Sequence, residues 1–182
     1  MKRSILVTLA VLAFCTVASQ NATAQSDLGL KRMGVTFGYV SPENMDGTIS
    51  YGAFVDLGTV SPQFGIEAHA DRWSHSEEAF DTKATLSDLM IGARGKYLFR
   101  TSSTKIQPFI GAGMGVHFLH AEVSDTNTSV EDTSNKLGLE LGGGMDTNLS
   151  PSMGLRTELW YGFASDIDQF AMRVGMTWKI GQ

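Results

Sequence analysis

The 182-residue chain holds one cysteine and four prolines. The cysteine, Cys15, lies in an apolar leader, so the remainder has no disulfide, no thiol nucleophile and no thiolate metal site. Beyond the leader no segment approaches the roughly 20 apolar residues of a transmembrane helix, and no long stretch repeats with a helical period. Positive charge is also scarce. With Lys2 and Arg3 set aside with the leader, 12 basic residues face 19 acidic ones, a net of −7. Such a surface repels a phosphate backbone and argues against nucleic acid as a partner. A chain of this kind that enters a membrane must do so as strands.

The leader has the parts of a secretory signal: basic Lys2 and Arg3, an apolar run from Ile5 to Ala18, and the small residues Ala22-Thr23-Ala24 before cleavage. A lipoprotein signal ending at Cys15 would need a small residue where Phe14 stands. Residues 1–24 are therefore expected to be a signal peptide and residues 25–182 a single domain.

What the chain has in quantity is alternation. In "LGLELGGG" Leu137, Leu139 and Leu141 alternate with Gly138, Glu140 and Gly142. After "TNLSPS" the period resumes, Met153, Leu155, Leu159, Tyr161 and Phe163 against Gly154, Arg156, Glu158 and Trp160. Period two means strands with two unlike faces. The same pattern predicts strands over Leu30–Val40, Thr48–Leu57, Gln63–Trp73, Ala84–Phe99, Ile106–Val123 and Gln169–Ile180, eight in all with the two around Leu137–Phe163. The connections alternate too. "GTVSP", "RTSSTK" and "TNLSP" are tight, whereas "SPENMDG", "SHSEEAFDT", "SDTNTSVEDTSN" and "ASDID" are polar and acidic and read as loops of one rim. These features predict an all-β fold, a closed eight-stranded antiparallel up-and-down transmembrane barrel with both termini at the tight rim.

A soluble lipocalin-like barrel would hide the apolar face, and a membrane barrel exposes it. Aromatics on that face gather at strand ends: Tyr39, Tyr51, Phe118, Tyr161, Phe163 and Phe170 toward the acidic rim, Phe64, Tyr97, Phe99 and Trp178 toward the tight one. Between them lie Val35, Ala53, Ala68, Ile91, Ala112, Leu139, Leu159 and Val174. Two aromatic girdles around an aliphatic belt match two membrane–water interfaces. Glycine, abundant on the polar face, would weaken solvent-facing strands for no gain. Inside a narrow barrel it makes room for long charged neighbours.

The C-terminal "RVGMTWKI" places Arg173, Gly175, Trp178 and Ile180 in the pattern polar-x-Gly-x-x-aromatic-x-apolar. It resembles the terminal signal by which outer-membrane barrels are inserted, with Ile180 where an aromatic is usual. Strand number, length, leader and terminus together resemble the small outer-membrane β-barrel family (OmpA- and OmpX-like, "porin family" barrel domains). That resemblance implies location in a Gram-negative outer membrane after export through the periplasm. It also implies contact with outer-membrane lipid and lipopolysaccharide, handling of the last strand by the barrel-assembly machinery, and a monomeric state.

Charges at Arg32, Asp56, Glu67, Asp71, Asp88, Arg94, Lys96, Glu140, Asp146, Arg156, Glu158, Arg173 and Lys179 share the inward face. Confined charges must pair. Glu67 with Arg94 and Glu158 with Arg173 are expected to face each other across neighbouring strands, with Lys96, Glu140 and Arg156 joining one network. Such a network plugs the barrel and fixes its register; a selectivity path is the alternative. His69 and His117 point inward, with no serine beside His117. "RWSHSEE" sets Ser74, His75, Ser76 and Glu77 at the acidic rim, read as a mobile loop rather than a lipid-modifying site. Asp125, Asn127 and Ser129 open like a calcium loop, but Val130 replaces the needed glycine and Lys136 the last ligand. Trp73 and Trp160 are expected to cap the lumen. No catalytic, cofactor or metal site emerges. The expected role is structural or surface interaction; the alternatives are small-solute or hydrophobic-ligand passage and a lipid-modifying enzyme.

Overall fold

The computed structural model describes residues 26–79, 82–103, 105–125, 128–165 and 167–180. The expected signal peptide lies outside them. Eight strands follow in chain order: β1 (Asp27–Pro42), β2 (Thr48–Ser61), β3 (Phe64–Ala79), β4 (Thr82–Leu98), β5 (Ile106–Asp125), β6 (Thr128–Asn148), β7 (Met153–Ala164) and β8 (Ile167–Lys179). Each pairs antiparallel with the next, and β8 pairs with β1, from Arg32 opposite Lys179 to Pro42 opposite Gln169, closing the ring. Closure gives every strand a neighbour on both sides within the ring, which a hydrocarbon environment demands.

Tight turns join the strands at one rim. At Ser61–Phe64 the chain reverses through Pro62 and Gln63, proline serving where no ladder N–H is wanted. Gly58 takes φ 87° where the β1–β2 register shifts; a Cβ there would come within 2.1 Å of the Asp27 carbonyl oxygen, so the bulge requires glycine.

The two faces are oriented as in a membrane barrel. Val35, Phe37, Tyr51, Ile91, Ile110, Leu141, Leu159 and Val174 stand exposed on the outer wall, while Glu67, Asp88, Lys96, Arg94 and Arg156 are buried within the ring. A soluble protein would reverse this arrangement. Glycines supply the interior space: a Cβ on Gly142 would lie 2.2 Å from the Leu159 carbonyl oxygen and 2.6 Å from the Trp160 ring.

Rows of paired residues running around the wall show where the apolar belt ends. One row reads Met176, Val35, Ala53, Ala70, Ile91, Val116, Leu137. Two residues nearer the acidic rim it reads Val174, Phe37, Tyr51, Arg72, Leu89, Phe118, Asn135. On β3–β6 the next is Ser74, Ser87, His120, Thr133, and the one after is Ser76, Thr85, Glu122, Glu131. The outer wall of β3–β6 thus turns from apolar to polar within two rows.

Two expected loops are strands. "RWSHSEE" continues β3, with Ser74, His75 and Ser76 opposite Ser87, Leu86 and Thr85. Of "SDTNTSVEDTSN", Ser124 and Asp125 end β5 and the residues from Thr128 to Asn135 open β6, paired from Asp125 opposite Thr128 down through Val123 opposite Val130, while Asn127 of the calcium-like spacing lies outside the described residues. Threonine and valine favour the pleated backbone, and the ladder persists beyond the membrane because water tolerates a polar outer face. As a result β3–β6 rise past their neighbours. The last β2 partner of β3 is Ser50 opposite Trp73, and the last β7 partner of β6 is Gly138 opposite Ala164. Beyond those points stands a four-stranded sheet whose two edges have no ladder partner among the described residues.

Candidate functional site

The interior charges are carried by seven strands and converge because period-two alternation sends every second side chain inward. Nearest the tight rim Arg156 grips Asp146 with two nitrogens, Nε at 2.7 Å and Nη2 at 3.0 Å. Its Nη1 donates to Glu67 Oε2 at 2.6 Å. Lys96 Nζ donates to the same oxygen at 2.6 Å and lies 3.7 Å from Asp56. Arg32 reaches Asp146 at 2.9 Å. Aromatic rings line these cations: the Phe54 ring centroid lies 3.7 Å from the Arg156 guanidinium carbon, and Phe109 lies 5.2 Å from Lys96 Nζ.

Next comes Arg94, bound by Glu140 through Nε at 2.7 Å and Nη2 at 2.9 Å, and by Asp71 at 3.1 Å. Trp160 packs on its guanidinium at 4.1 Å. Glu67 and Arg94 stand opposite in register, 3.6 Å apart, while the short bonds of Glu67 go to Lys96 and Arg156. Glu158 and Arg173 are also opposite, at 3.7 Å, and Arg173 lies 3.2 Å from Asp71. Glu140 thus serves Arg94 rather than Arg156. Lys179 is exposed at the end of its strand, outside the network.

Toward the acidic rim His117 Nδ1 lies 2.7 Å from Asp88 Oδ2. The other ring nitrogen, Nε2, is buried without a hydrogen-bond partner among the described residues. The Asp88–His117 pair resembles the acid and base of a nucleophilic set, and among the described residues no hydroxyl is hydrogen-bonded to His117 Nε2. His69 lies 3.2 Å from Glu140. His75 sits 3.4 Å from Glu77, and Ser76 bonds Thr85 at 2.9 Å, so these side chains belong to the sheet rather than to a loop. Trp73 forms a cap: its Nε1 donates to Gln169 at 2.9 Å, and it packs with Val40 and Ala171, flanked by Met45 and Leu86. Trp160 instead lies deeper, against Arg94. Among the described residues no group of three His, Cys, Asp or Glu could hold a metal ion.

The roles of Phe54 and Phe109 were missed in the sequence. Their signal was present: each is a lone phenylalanine on a face otherwise made of glycine and polar groups. Asp146 was visible as an inward charge, but its register opposite Arg156 follows only from the pairing of β6 with β7.

The sequence profile of the outer membrane protein beta-barrel domain family matches residues 7–179. The chain belongs to that family. Solved barrels of the family's architecture align over most of it. Neisserial surface protein A superposes with a TM-score of 0.57 at 17% identity, covering 82% of this chain and 96% of that one. Ail, the attachment invasion locus protein of Yersinia pestis, gives 0.57 at 12% identity, covering 86% and 100%. The N-terminal barrel domain of Pseudomonas aeruginosa OprF gives 0.52 at 10% identity, covering 85% and 100%. No curated protein sequence matches. At these identities the outer-membrane barrels establish a shared fold, and family membership makes the apolar wall a lipid-facing one.

Proposed function

We propose that this outer-membrane barrel is a surface-interaction protein, its lumen plugged by the charge network and its raised β3–β6 sheet presented outward. The raised sheet carries the reading. On β6, residues 128–137 pair, among the described residues, with β5 alone, an open edge of about 30 Å at ~3.4 Å per residue. An open edge offers ladder groups to an incoming strand. Charged Glu131, Asp132 and Lys136 on β6, and Glu77 and Glu78 on β3, discourage pairing of two copies edge to edge. Within the sheet the acids Glu77, Glu78, Glu122, Glu131 and Asp132 outnumber Lys83 and Lys136. The partner class is therefore an extended, cationic polypeptide. Ail has been captured with a heparin analogue, sucrose octasulfate; a polyanion of that kind is disfavoured at this acidic rim.

The plug is supported by the bidentate Arg94–Glu140 and Arg156–Asp146 pairs, by Lys96 beneath them and by the Trp73 cap. Passage of small solutes draws on a different observation. Among the described residues both Glu158 oxygens, Arg173 Nε and both His69 nitrogens are buried without a hydrogen-bond partner, polar groups that a permeating solute or water could serve. Export through the periplasm and handling of β8, with Trp178 near its end, by the assembly machinery complete the proposal.

Two measurements test it. Planar-bilayer recording of the refolded protein should show no steady conductance; steady ohmic current would put passage first. Replacing residues 122–131 by a two-residue turn should leave the barrel folded while abolishing salt-sensitive binding of an extended lysine-rich peptide. Equal peptide binding by the trimmed barrel would refute the role given to the sheet.

A further inference from the structure

Arg72 breaks the rule of the lipid-facing wall. In the two outermost rows of the belt, from Met176 to Leu137 and from Val174 to Asn135, it is the only charged residue. It stands exposed between Tyr51 on β2 and Leu89 on β4. Among the described residues no carboxylate lies within ion-pair distance of it, although the lumen a few ångströms away is crowded with carboxylates. The nearest acids on its own face, Glu122 and Glu131, come two rows higher, on the order of 14 Å along the strands. That exceeds the ~8 Å screening length of physiological salt. In the row below it, from Met176 to Leu137, the wall is apolar, and on β3–β6 the next row up is polar, with Ser74, Ser87, His120 and Thr133. Arg72 therefore marks the height at which hydrocarbon gives way to headgroups.

We propose that Arg72 is a lipid headgroup-binding residue whose guanidinium holds the phosphate of a phosphorylated lipid in the leaflet that meets the acidic rim. A guanidinium offers a planar fork of donors that matches two phosphate oxygens at once. Tyr51, directly opposite and exposed, has the apolar body and polar tip that seat side chains at this depth. Leu89 and Phe118 in the same row supply the surface along which the first acyl methylenes lie. The neighbouring His120, 3.3 Å from Thr133, extends the polar lane along which a headgroup sits. A soluble anion has no such reason to descend to an apolar row, so the ligand is a lipid and not free phosphate.

Native mass spectrometry of the full mature barrel, released from micelles seeded with diphosphorylated lipid A, tests this. The wild type should retain the lipid about tenfold more tightly than Arg72→Gln, the loss expected for one charge-assisted contact, with Arg72→Lys between them. Chemically dephosphorylated lipid A of the same acyl composition should show no difference between the proteins. Millimolar inorganic phosphate should not displace the bound lipid. Equal retention by wild type and Arg72→Gln overturns the proposal, as does displacement by inorganic phosphate. Should Arg72→Gln fail to fold, the wild type alone decides: equal retention of the phosphorylated and dephosphorylated lipids overturns it.

Discussion

Removing the charge of Glu67 tests the interior network at its most connected point. One oxygen of this carboxylate accepts from Lys96 and Arg156, both at 2.6 Å, and the other lies 3.6 Å from Arg94. Glu67→Gln keeps the shape and deletes the charge. The three cations are not left equally exposed to the loss. Arg156 retains two bonds to Asp146, and Arg94 retains two to Glu140. Lys96 retains Asp56, at 3.7 Å, as its one carboxylate among the described residues. Stranding one partner of a buried pair costs about 3–5 kcal/mol; with a single cation stranded, the lower end, about 3 kcal/mol, is expected. Lys96→Met in the same chain removes the stranded cation, so the double variant should be more stable than the sum of the single losses implies. The expected coupling is about 1–3 kcal/mol.

Equilibrium urea unfolding from lipid vesicles, followed by the fluorescence of Trp73, Trp160 and Trp178, measures all four proteins of the cycle. Additivity within about 0.5 kcal/mol would refute the coupling. A parallel cycle on Glu158 and Arg173 sharpens the comparison. That pair is 3.7 Å apart and neither Glu158 oxygen makes a hydrogen bond among the described residues, so its coupling should be the smaller. The opposite order would show that these distances do not govern the energetics.

Glycine space gives a second contrast on the inward face. Gly142→Ala must displace the Leu159 carbonyl or the Trp160 ring and should lower stability by about 1–3 kcal/mol, whereas Gly65, whose added Cβ would meet nothing closer than 3.7 Å, should accept alanine within about 0.5 kcal/mol; unfolding midpoints compare them. On the outer wall Leu139→Arg puts a charge into the belt at about 2–4 kcal/mol, while Thr133→Arg on the raised sheet should change stability by less than about 0.5 kcal/mol; the folded fraction on unboiled gels separates them. Trp73→Ala removes the cap and its bond to Gln169 and should cost about 3–5 kcal/mol, read as a lowered urea midpoint.

Strand number, order and facing were legible because a barrel in lipid has one simple rule: alternate side chains meet hydrocarbon and lumen. Val35, Ile91 and Leu159 fell on one side and Glu67, Arg94 and Arg156 on the other without knowledge of any contact. Partner choice within the lumen was less legible. Cross-strand register predicts which residues stand opposite, yet long side chains reach past that row. Glu67 stands opposite Arg94 but bonds Lys96, two residues along the same strand, and Arg156 from β7 across the barrel. The reach of arginine and lysine, rather than their position, settles the pairs.

The β3 and β6 edges of the raised sheet escaped the sequence, and the sheet's physics ties the parts of the molecule together. Along β5 the outward residues run Met114, Val116, Phe118 and then His120, Glu122, while the inward ones run Gly115, His117 and then Leu119, Ala121, Val123. The alternation never stops; its polarity inverts. Above Phe118 the outer face meets water and becomes polar. On β4 and β5 the inner face no longer borders the charge network and becomes apolar, as Leu86, Ala84, Leu119 and Ala121 show, while His75 and Glu77 on β3 and Ser134 and Asp132 on β6 keep it polar at the two edges. The sequence reading follows β4 from Ala84 and β5 to Val123, but it ends β3 at Trp73 and begins β6 at Leu137, where both faces turn polar and no alternation marks the strand. Read as one continuous strand, the inversion instead places the membrane boundary on β3–β6 between the row of Arg72 and the row of Ser74. The same boundary locates the lipid phosphate beside Arg72, sets Trp73 as the lid of the charged interior, and leaves the open edges of β3 and β6 standing in water.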